Sequence, residues 1–307
     1  MSDPRVSILI PTRNAERDLA RLLPALERQV VSGGLELVVV DSASEDRTRE
    51  LLRRAGARVE QISLTDFRHG GTRNRLAGAA RGSFLVFLSQ DAVPQGEDFL
   101  ERLLAPFSDP QVAGCTARVL PHEGDDPLTT RTVLEAPEAC TESEIRRLDG
   151  PSAYDAMSPA VRARFLRFSN VASAIRASVL EQIPFPDVPF GEDSAWAGRA
   201  LTAGWSLAFV ADAVVHHAHR YSPSQAFQRY RVDAAFQCRV HGYRLRTGLW
   251  DVFRGIAYEV VSDVRFVVHQ RAGWLHLLRS PALRCGQILG QWRGSRPAHG
   301  SFDRSGA

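Results

Sequence analysis

The sequence predicts an α/β protein: a mostly parallel sheet flanked by helices, with a helical extension at its C-terminal end. Three observations carry this. Strand-sized apolar runs, continuous rather than alternating, recur at residues 6–10, 35–40 and 84–88, as strands buried on both faces require. Between them lie segments with apolar residues three and four apart, the spacing of a helix with one buried face. Beyond Pro223 the strand-sized runs stop and long Arg-rich helical segments take over.

Each element follows in order. The run 6–10 (VSILI) is ended by Pro11. Leu19, Leu22, Leu23, Leu26 and Val30 predict a helix, which Pro24 is expected to kink or cut short. Gly33 and Gly34 break the chain ahead of a second strand, 35–40 (LELVVV), which exits at Asp41 and Ser42; Asp46 stands where it can cap the next helix. With a shorter strand at 58–62 the order becomes β, α, β, α, β, which calls for parallel pairing. Residues 66–74 (DFRHGGTRN) are polar and glycine-paired and open onto a helix through Ala80, so backbone N–H groups there can approach an anion. The strand 84–88 leads into a polar corner, Ser89-Gln90-Asp91, and is followed by a helix over 97–105 and a strand over 112–118.

From 120 to 165 the pattern weakens into short helices and loops, charged and punctuated by proline. A strand pattern resumes at 168–176. Pro184, Pro186 and Pro189 stiffen a loop, after which a helix starts with Glu192 and Asp193 in its first turn. Two short strands, 207–210 and 213–215, lead to His216, His217 and His219, and helices over 227–240, 250–268 and 274–289 complete the chain. The tail from Gly294 reads as disordered.

Composition removes whole classes of chemistry. All 38 basic residues are Arg, so a Schiff-base lysine and a phosphate-loop lysine are both ruled out. No GxG occurs, which removes the usual dinucleotide fingerprint. The four cysteines, Cys115, Cys140, Cys238 and Cys285, lie far apart with no CxxC pair, and free thiols in a reducing compartment are the simplest reading. The N-terminus opens acidic and its apolar run is only strand-sized, so no signal peptide is expected, nor any membrane span. From Pro223 onward 13 Arg face 5 Asp and Glu, a net +8; the total of +3 leaves −5 for the first 222 residues. The two parts are built for different partners. No nucleic-acid-binding motif accompanies the basic part, and none is expected to bind there.

The strand exits carry the chemistry. Pro11-Thr12-Arg13-Asn14, Asp41-Ser42, Ser89-Gln90-Asp91 and His217 with His219 all sit where strands end, and in open α/β sheets ligands bind outside the carboxyl ends of the strands. Taken singly, Asp91 reads equally as a turn residue, and Glu192 with Asp193 as helix caps.

Together these segments resemble the family 2 glycosyltransferases of the GT-A fold, and among them the rhamnosyltransferase-like members. The resemblance rests on VSILIPTRN, LELVVVDSASEDRT, DFRHGGTRN, FLVFLSQDAVP, FGEDSAWAGRAL and VVHHAHRYS, spread over residues 6–243, with DFRHGGTRN the most specific. It implies a GT-A-type Rossmann-like sheet in a nucleotide-sugar-binding and catalytic domain over 1–222, a basic helical region over 223–293 and a tail over 294–307. The activity it implies is transfer of a deoxyhexose such as rhamnose from a nucleoside-diphosphate sugar to an acceptor hydroxyl with inversion, assisted by Mg²⁺ or Mn²⁺. Asp91, with His217 and His219, is implied to hold the metal; Ser89 replaces the first acid of the family's DxD motif. Pro11, Thr12, Arg13, Asn14, Asp41, Ser42, Gly70, Gly71, Arg73, Asn74, Ser89 and Gln90 are implied to contact the donor nucleotide. Asp193 takes the role of general base and Glu192 that of orienting the acceptor or capping the helix.

The acceptor is expected to be a glycan, lipid-linked or a small molecule. Cytoplasmic residence follows, with the Arg- and Trp-bearing C-terminal helices either contacting the inner face of a membrane or forming a packing or homodimer face. The missing acid at Ser89 also supports another reading, a catalytically silent domain that binds a sugar nucleotide or glycan.

Overall fold

A computed structural model describes residues 4–296 of the 307. The chain forms two compact units. The first is built on a nine-stranded sheet with strands β1 (Val6–Thr12), β2 (Leu35–Ser42), β3 (Arg58–Ile62), β4 (Phe84–Leu88), β5 (Val93–Pro94), β6 (Val112–Leu120), β7 (Glu144–Arg146), β8 (Ala172–Arg176) and β9 (Ser206–His216). Helices α1 (Glu16–Glu27), α2 (Thr48–Arg54), α3 (His69–Ala79) and α4 (Phe99–Leu104) alternate with the early strands. Short helices α5 (Pro127–Leu134), α6 (Pro151–Ala156), α7 (Pro159–Phe165) and α8 (Ala177–Gln182) follow, and then α9 (Glu192–Thr202).

The strand order is β3-β2-β1-β4-β8-β6-β9-β5, with β7 also paired to β9. β1 to β4 run parallel; β8 is antiparallel to both β4 and β6, so β6 and β9 point the same way as the first four. The sheet is therefore mostly parallel, and β1, β2, β4, β6 and β9 all exit on one edge. Alternate residues feed two cores. Ile8, Ile10, Val39, Val86 and Leu88 pack with α1 and α4, whereas Leu9, Val38, Val40, Phe87 and Ile175 pack with Leu76 and Trp196 on α3 and α9. Burial on both faces explains the continuous apolar runs.

Three local expectations are corrected. Pro24 does not break α1, which runs through it because Leu19, Leu22, Ala25 and Leu26 are buried on both sides of the missing N–H, but the helix ends at Glu27 and leaves Val30, expected within it, exposed beyond its end. Pro11 does not end β1: β4 pairs only with residues 6–9, so at Pro11 no neighbour on that side needs a donor, and β1 continues to Thr12 beside β2. The two short strands before the histidines are one strand, β9, whose register with β6 jumps between Val210 and Val214.

The second unit takes in residues 126–128 and 158–163 and the chain from Arg220. It contains α10 (Pro223–His241), α11 (Leu249–His269) and α12 (Ser280–Gly294). Ser222 and Gln225 form a capping box at the start of α10. Gly286, Gly290 and Gly294, one turn apart on α12, meet α10 backbone: an added Cβ would lie 2.2, 2.4 and 2.2 Å from the carbonyl oxygens of Pro223, Phe227 and Arg231. Nothing but glycine allows that approach. Arg284 on α12 and Asp263 on α11 make a buried bidentate pair at 2.8 and 2.7 Å. α12 extends to Gly294, and residues 297–307 of the expected tail lie outside the described residues. Among the described residues no helix is long and apolar enough to cross a membrane.

Candidate active site

The exit of β4 turns sharply at Ser89, where Ala92 N–H donates to the Ser89 carbonyl at 3.0 Å, and this turn presents Asp91 at the sheet edge. β9 ends on the same edge, and His217 N–H donates to the Leu120 carbonyl at 2.9 Å as the chain leaves the sheet. Asp91 Oδ1 lies 3.4 Å from His217 Nε2, and Oδ2 lies 3.6 Å from His219 Nδ1. One ligand atom from each of the three side chains falls within 4.8 Å of the others. Burial opposes ionisation of Asp91, but the His217 hydrogen bond and the charges of His217 and His219 outweigh it and hold the carboxyl below its usual range. His216 points away, its ring nitrogens meeting the Pro121 carbonyl at 2.7 Å and Gln95 Oε1 at 3.2 Å. Two of the three histidines therefore join the acid, and Ser89 contributes no ligand to that cluster.

A second cluster forms where α9 begins. Gly191, in the left-handed region at φ 79°, turns the chain so that Glu192 and Asp193 open the helix. Glu192 is buried and pairs with Arg73 Nη1 at 2.9 Å. Asp193 accepts from the Asn170 N–H at 3.2 Å and the Ser194 N–H at 2.8 Å. Burial first, and then the charge of Glu192, push the Asp193 carboxyl up to about 6; the Arg73 charge and the two N–H donors act in the opposite sense. Asn170 also donates to Glu192 Oε1 at 3.4 Å, and Ser89 N–H donates to the carbonyl of neighbouring Val171 at 3.0 Å. The segment entering β8 thus connects the acid pair to the Asp91 turn.

The loops after β1 and β2 form a third group. Thr12 Oγ1 donates to Asp41 Oδ2 at 3.2 Å, the Ser44 N–H donates to Oδ1 at 3.0 Å, and the Ser44 hydroxyl also donates to the carboxylate. Asn14, at φ 46°, accepts from the Glu45 N–H at 2.9 Å, and its own N–H donates to Ser44 Oγ at 2.8 Å. Gln90 clasps the Arg13 backbone from the β4 side, accepting from its N–H at 2.9 Å and donating to its carbonyl at 3.3 Å. The Arg13 side chain remains exposed.

Several of the residues expected to contact the donor have partners within the chain. Asp41 is fully buried, and its oxygens accept from Thr12 and Ser44, which organises the loop. Ser42 is buried too, its hydroxyl without a partner. Arg73 and Glu192, expected on the donor and acceptor sides, pair with each other and are both buried. Asn74 uses both ends of its amide on the Phe185 backbone, at 2.9 and 3.0 Å. Gly70 is required by packing: a Cβ there would lie 2.3 Å from the Pro186 carbonyl oxygen. Gly71 is exposed at the start of α3.

Asn170 was missed by sequence reasoning, although a signal was there. The chain has three asparagines, Asn14, Asn74 and Asn170, and the other two lie in the motifs PTRN and GGTRN. All three tie together segments distant in sequence at the working edge.

Known proteins resemble the chain throughout. The sequence profile described as glycosyl transferase family 2 matches residues 7–165. The O-antigen chain rhamnosyltransferase WbaN of Salmonella anatum is 35% identical over 96% of this chain and 91% of that protein. The O-antigen chain rhamnosyltransferase RfbN of Salmonella typhimurium is 32% identical over 95% of this chain and 91% of its own length. Among solved structures, a mannosyltransferase from Pyrobaculum calidifontis in complex with GDP-Man and Mn²⁺ superposes with a TM-score of 0.58 at 19% identity, covering 96% of this chain and 88% of that one. S. aureus TarS 1-349 in complex with UDP-GlcNAc gives 0.55 at 17% identity, covering 94% and 89%.

Proposed function

The chain belongs to glycosyl transferase family 2 and is a rhamnosyltransferase-like glycosyltransferase of the GT-A fold, and on that premise we propose that it moves a deoxyhexose from a nucleoside diphosphate to a glycan hydroxyl with inversion. Rhamnose is the first donor sugar to test, since both Salmonella relatives are named for it; their names also suggest polysaccharide biosynthesis as the setting. Peripheral membrane contact by the helices after Pro223 completes the reading.

The observation that carries the chemistry is Asp193, a carboxylate raised to about 6 at the strand-exit edge. A base with that pKa is ionised at neutral pH yet holds a proton better than an ordinary carboxylate, which suits general-base work. As the acceptor oxygen attacks the anomeric carbon, its proton passes to an Asp193 oxygen, the bond from that carbon to the diphosphate breaks on the opposite face, and the nucleoside diphosphate leaves. Asn170 and Ser194 N–H groups orient the carboxylate, and Glu192 raises its basicity through its charge. Arg13, exposed in the loop after β1, is suited to a phosphate contact.

Asp91, His217 and His219 fit a divalent cation: one carboxylate held ionised and two imidazoles with their ligand atoms close together. Such a cation, when bound, neutralises charge on the departing diphosphate. Two nitrogen donors favour Mn²⁺ over Mg²⁺, which prefers an all-oxygen octahedron.

Incubation with a panel of nucleoside-diphosphate deoxyhexoses, Mn²⁺ and glycan acceptors should release nucleoside diphosphate. Asp193→Asn should lower turnover by at least about 10²-fold while donor affinity is retained. Equal loss of turnover and donor affinity removes Asp193 from the base role, and silence across the whole panel defeats the transfer reading.

A further inference from the structure

Helix α11 has two unlike faces. One buries Val252, Gly255, Asp263 and Val267. The other carries Trp250, Phe253, Val261, Val264 and Val268, all exposed; Trp250 and Phe253 are 67% and 63% exposed and stack with ring centroids 5.6 Å apart. At about 100° per residue these five side chains fall within roughly 80° of the helix circumference. Directly after α11, Trp274, Leu275 and Leu278 are 67%, 62% and 71% exposed. Contiguous apolar surface of this kind marks an interaction site.

The charges beside the stripe say what covers it. Arg254 and Arg265 follow one edge of it, both exposed, and Tyr258 projects on the same side. Of the α11 carboxylates, Asp251 borders the arginine side, but its oxygen is engaged at the helix start. Asp251 caps the helix start through Thr247 and Gly248, Asp263 is buried against Arg284, and Glu259 lies 4.0 Å from the same arginine. A second copy of the chain is a poor occupant, because two such faces set arginines against arginines with only the capping Asp251 of α11 beside them. Anionic phospholipid supplies both missing parts, an apolar boundary for the valines and aromatic rings and negative headgroups for the arginines. Trp and Tyr, apolar with one polar end, suit that boundary.

We infer that the exposed face of α11, continued by Trp274, Leu275 and Leu278, lies in the headgroup–acyl boundary of an anionic bilayer with the helix parallel to the surface. This rests on the peripheral-contact part of the reading above and on none of its chemistry. The test is flotation of the full chain with vesicles of phosphatidylcholine alone or mixed with phosphatidylglycerol. Binding is expected on the mixed vesicles and should weaken as salt rises. Trp250→Ser with Phe253→Ser should lower the bound fraction about tenfold or more, with nucleotide release on a water-soluble acceptor unchanged. Val261→Glu, a smaller change on the same stripe, should do likewise, and Arg254→Gln with Arg265→Gln should remove the preference for phosphatidylglycerol.

Failure of the parent chain to float on mixed vesicles overturns the inference. So does a serine double variant that floats as well as the parent, which would keep peripheral contact but move it to another surface. A parent that is dimeric, with a monomeric double variant and no vesicle binding in either, assigns the face to a second copy instead.

Discussion

Replacing Asp193 by Asn should stabilise the fold at neutral pH even as it removes the proposed base. An aspartate has an ordinary value of 3.8, and burial, followed by the charge of Glu192, lifts Asp193 to about 6 in the folded protein. Between those values the folded chain holds a proton that the unfolded chain has released, so stability declines as pH rises from about 4 to about 6 and stays reduced above that. Two pH units at about 1.4 kcal/mol each set an upper bound of ~3 kcal/mol. Asp193 is only half-buried, and solvent screening brings the expected effect to ~1–2 kcal/mol. Asparagine carries no charge and keeps one amide oxygen for the Asn170 or Ser194 N–H. Urea denaturation of both proteins across a pH series should show the variant gaining on the parent from about pH 4.5 to pH 7 by that amount. A stability difference that does not change with pH, or that grows in the parent's favour, refutes this electrostatic setting. The pH dependence of kcat/KM should carry the same signature, an acid limb near pH 6.

Other substitutions test the remaining geometry. Asp91→Ala removes the single carboxylate of the histidine cluster and should weaken Mn²⁺-dependent donor binding at least about tenfold by calorimetry; an unchanged metal requirement would take the cation elsewhere. Asn74→Ala deletes both hydrogen bonds to the Phe185 backbone and should cost ~1–3 kcal/mol, with faster hydrogen exchange in residues 185–191. Gly290→Ala improves helix propensity yet places a Cβ 2.4 Å from the Phe227 carbonyl oxygen, so destabilisation by ~1–3 kcal/mol is expected in place of the gain that propensity alone predicts. A stabilised Gly290→Ala would show that α10 and α12 do not approach so closely.

Much of the fold was legible because burial on both faces leaves an unmistakable trace. Residues 6–10, 35–40 and 84–88 are apolar but for Ser7 and Glu36, because both cores draw on them alternately. Where the trace failed, the cause was tertiary. Pro24 carries a true helix-breaking signal, overridden by Leu19, Leu22, Ala25 and Leu26 seated on the sheet. β9 was divided in two because Asp212 interrupts the apolar pattern, and that aspartate stands exposed where the register with β6 shifts. β7 escaped notice entirely, since a three-residue strand with two exposed side chains has no periodicity to read.

At the site, the motif segments meet on one edge of the sheet, but the partners of their side chains could not be read from the sequence. DFRHGGTRN suggested an anion cradle, yet its Gly70, Arg73 and Asn74 face inward, holding Pro186, Glu192 and Phe185. These contacts join residues more than a hundred positions apart in the chain, so no local pattern announces them. The consequence bears on chemistry as well as stability. By fixing Glu192 beside Asp193, Arg73 maintains the negative neighbour that raises the base, while its own positive charge limits the rise. The motif's side chains therefore set the surroundings of Asp193, whereas Arg13 stands exposed and Asp91 groups with two histidines elsewhere on the edge.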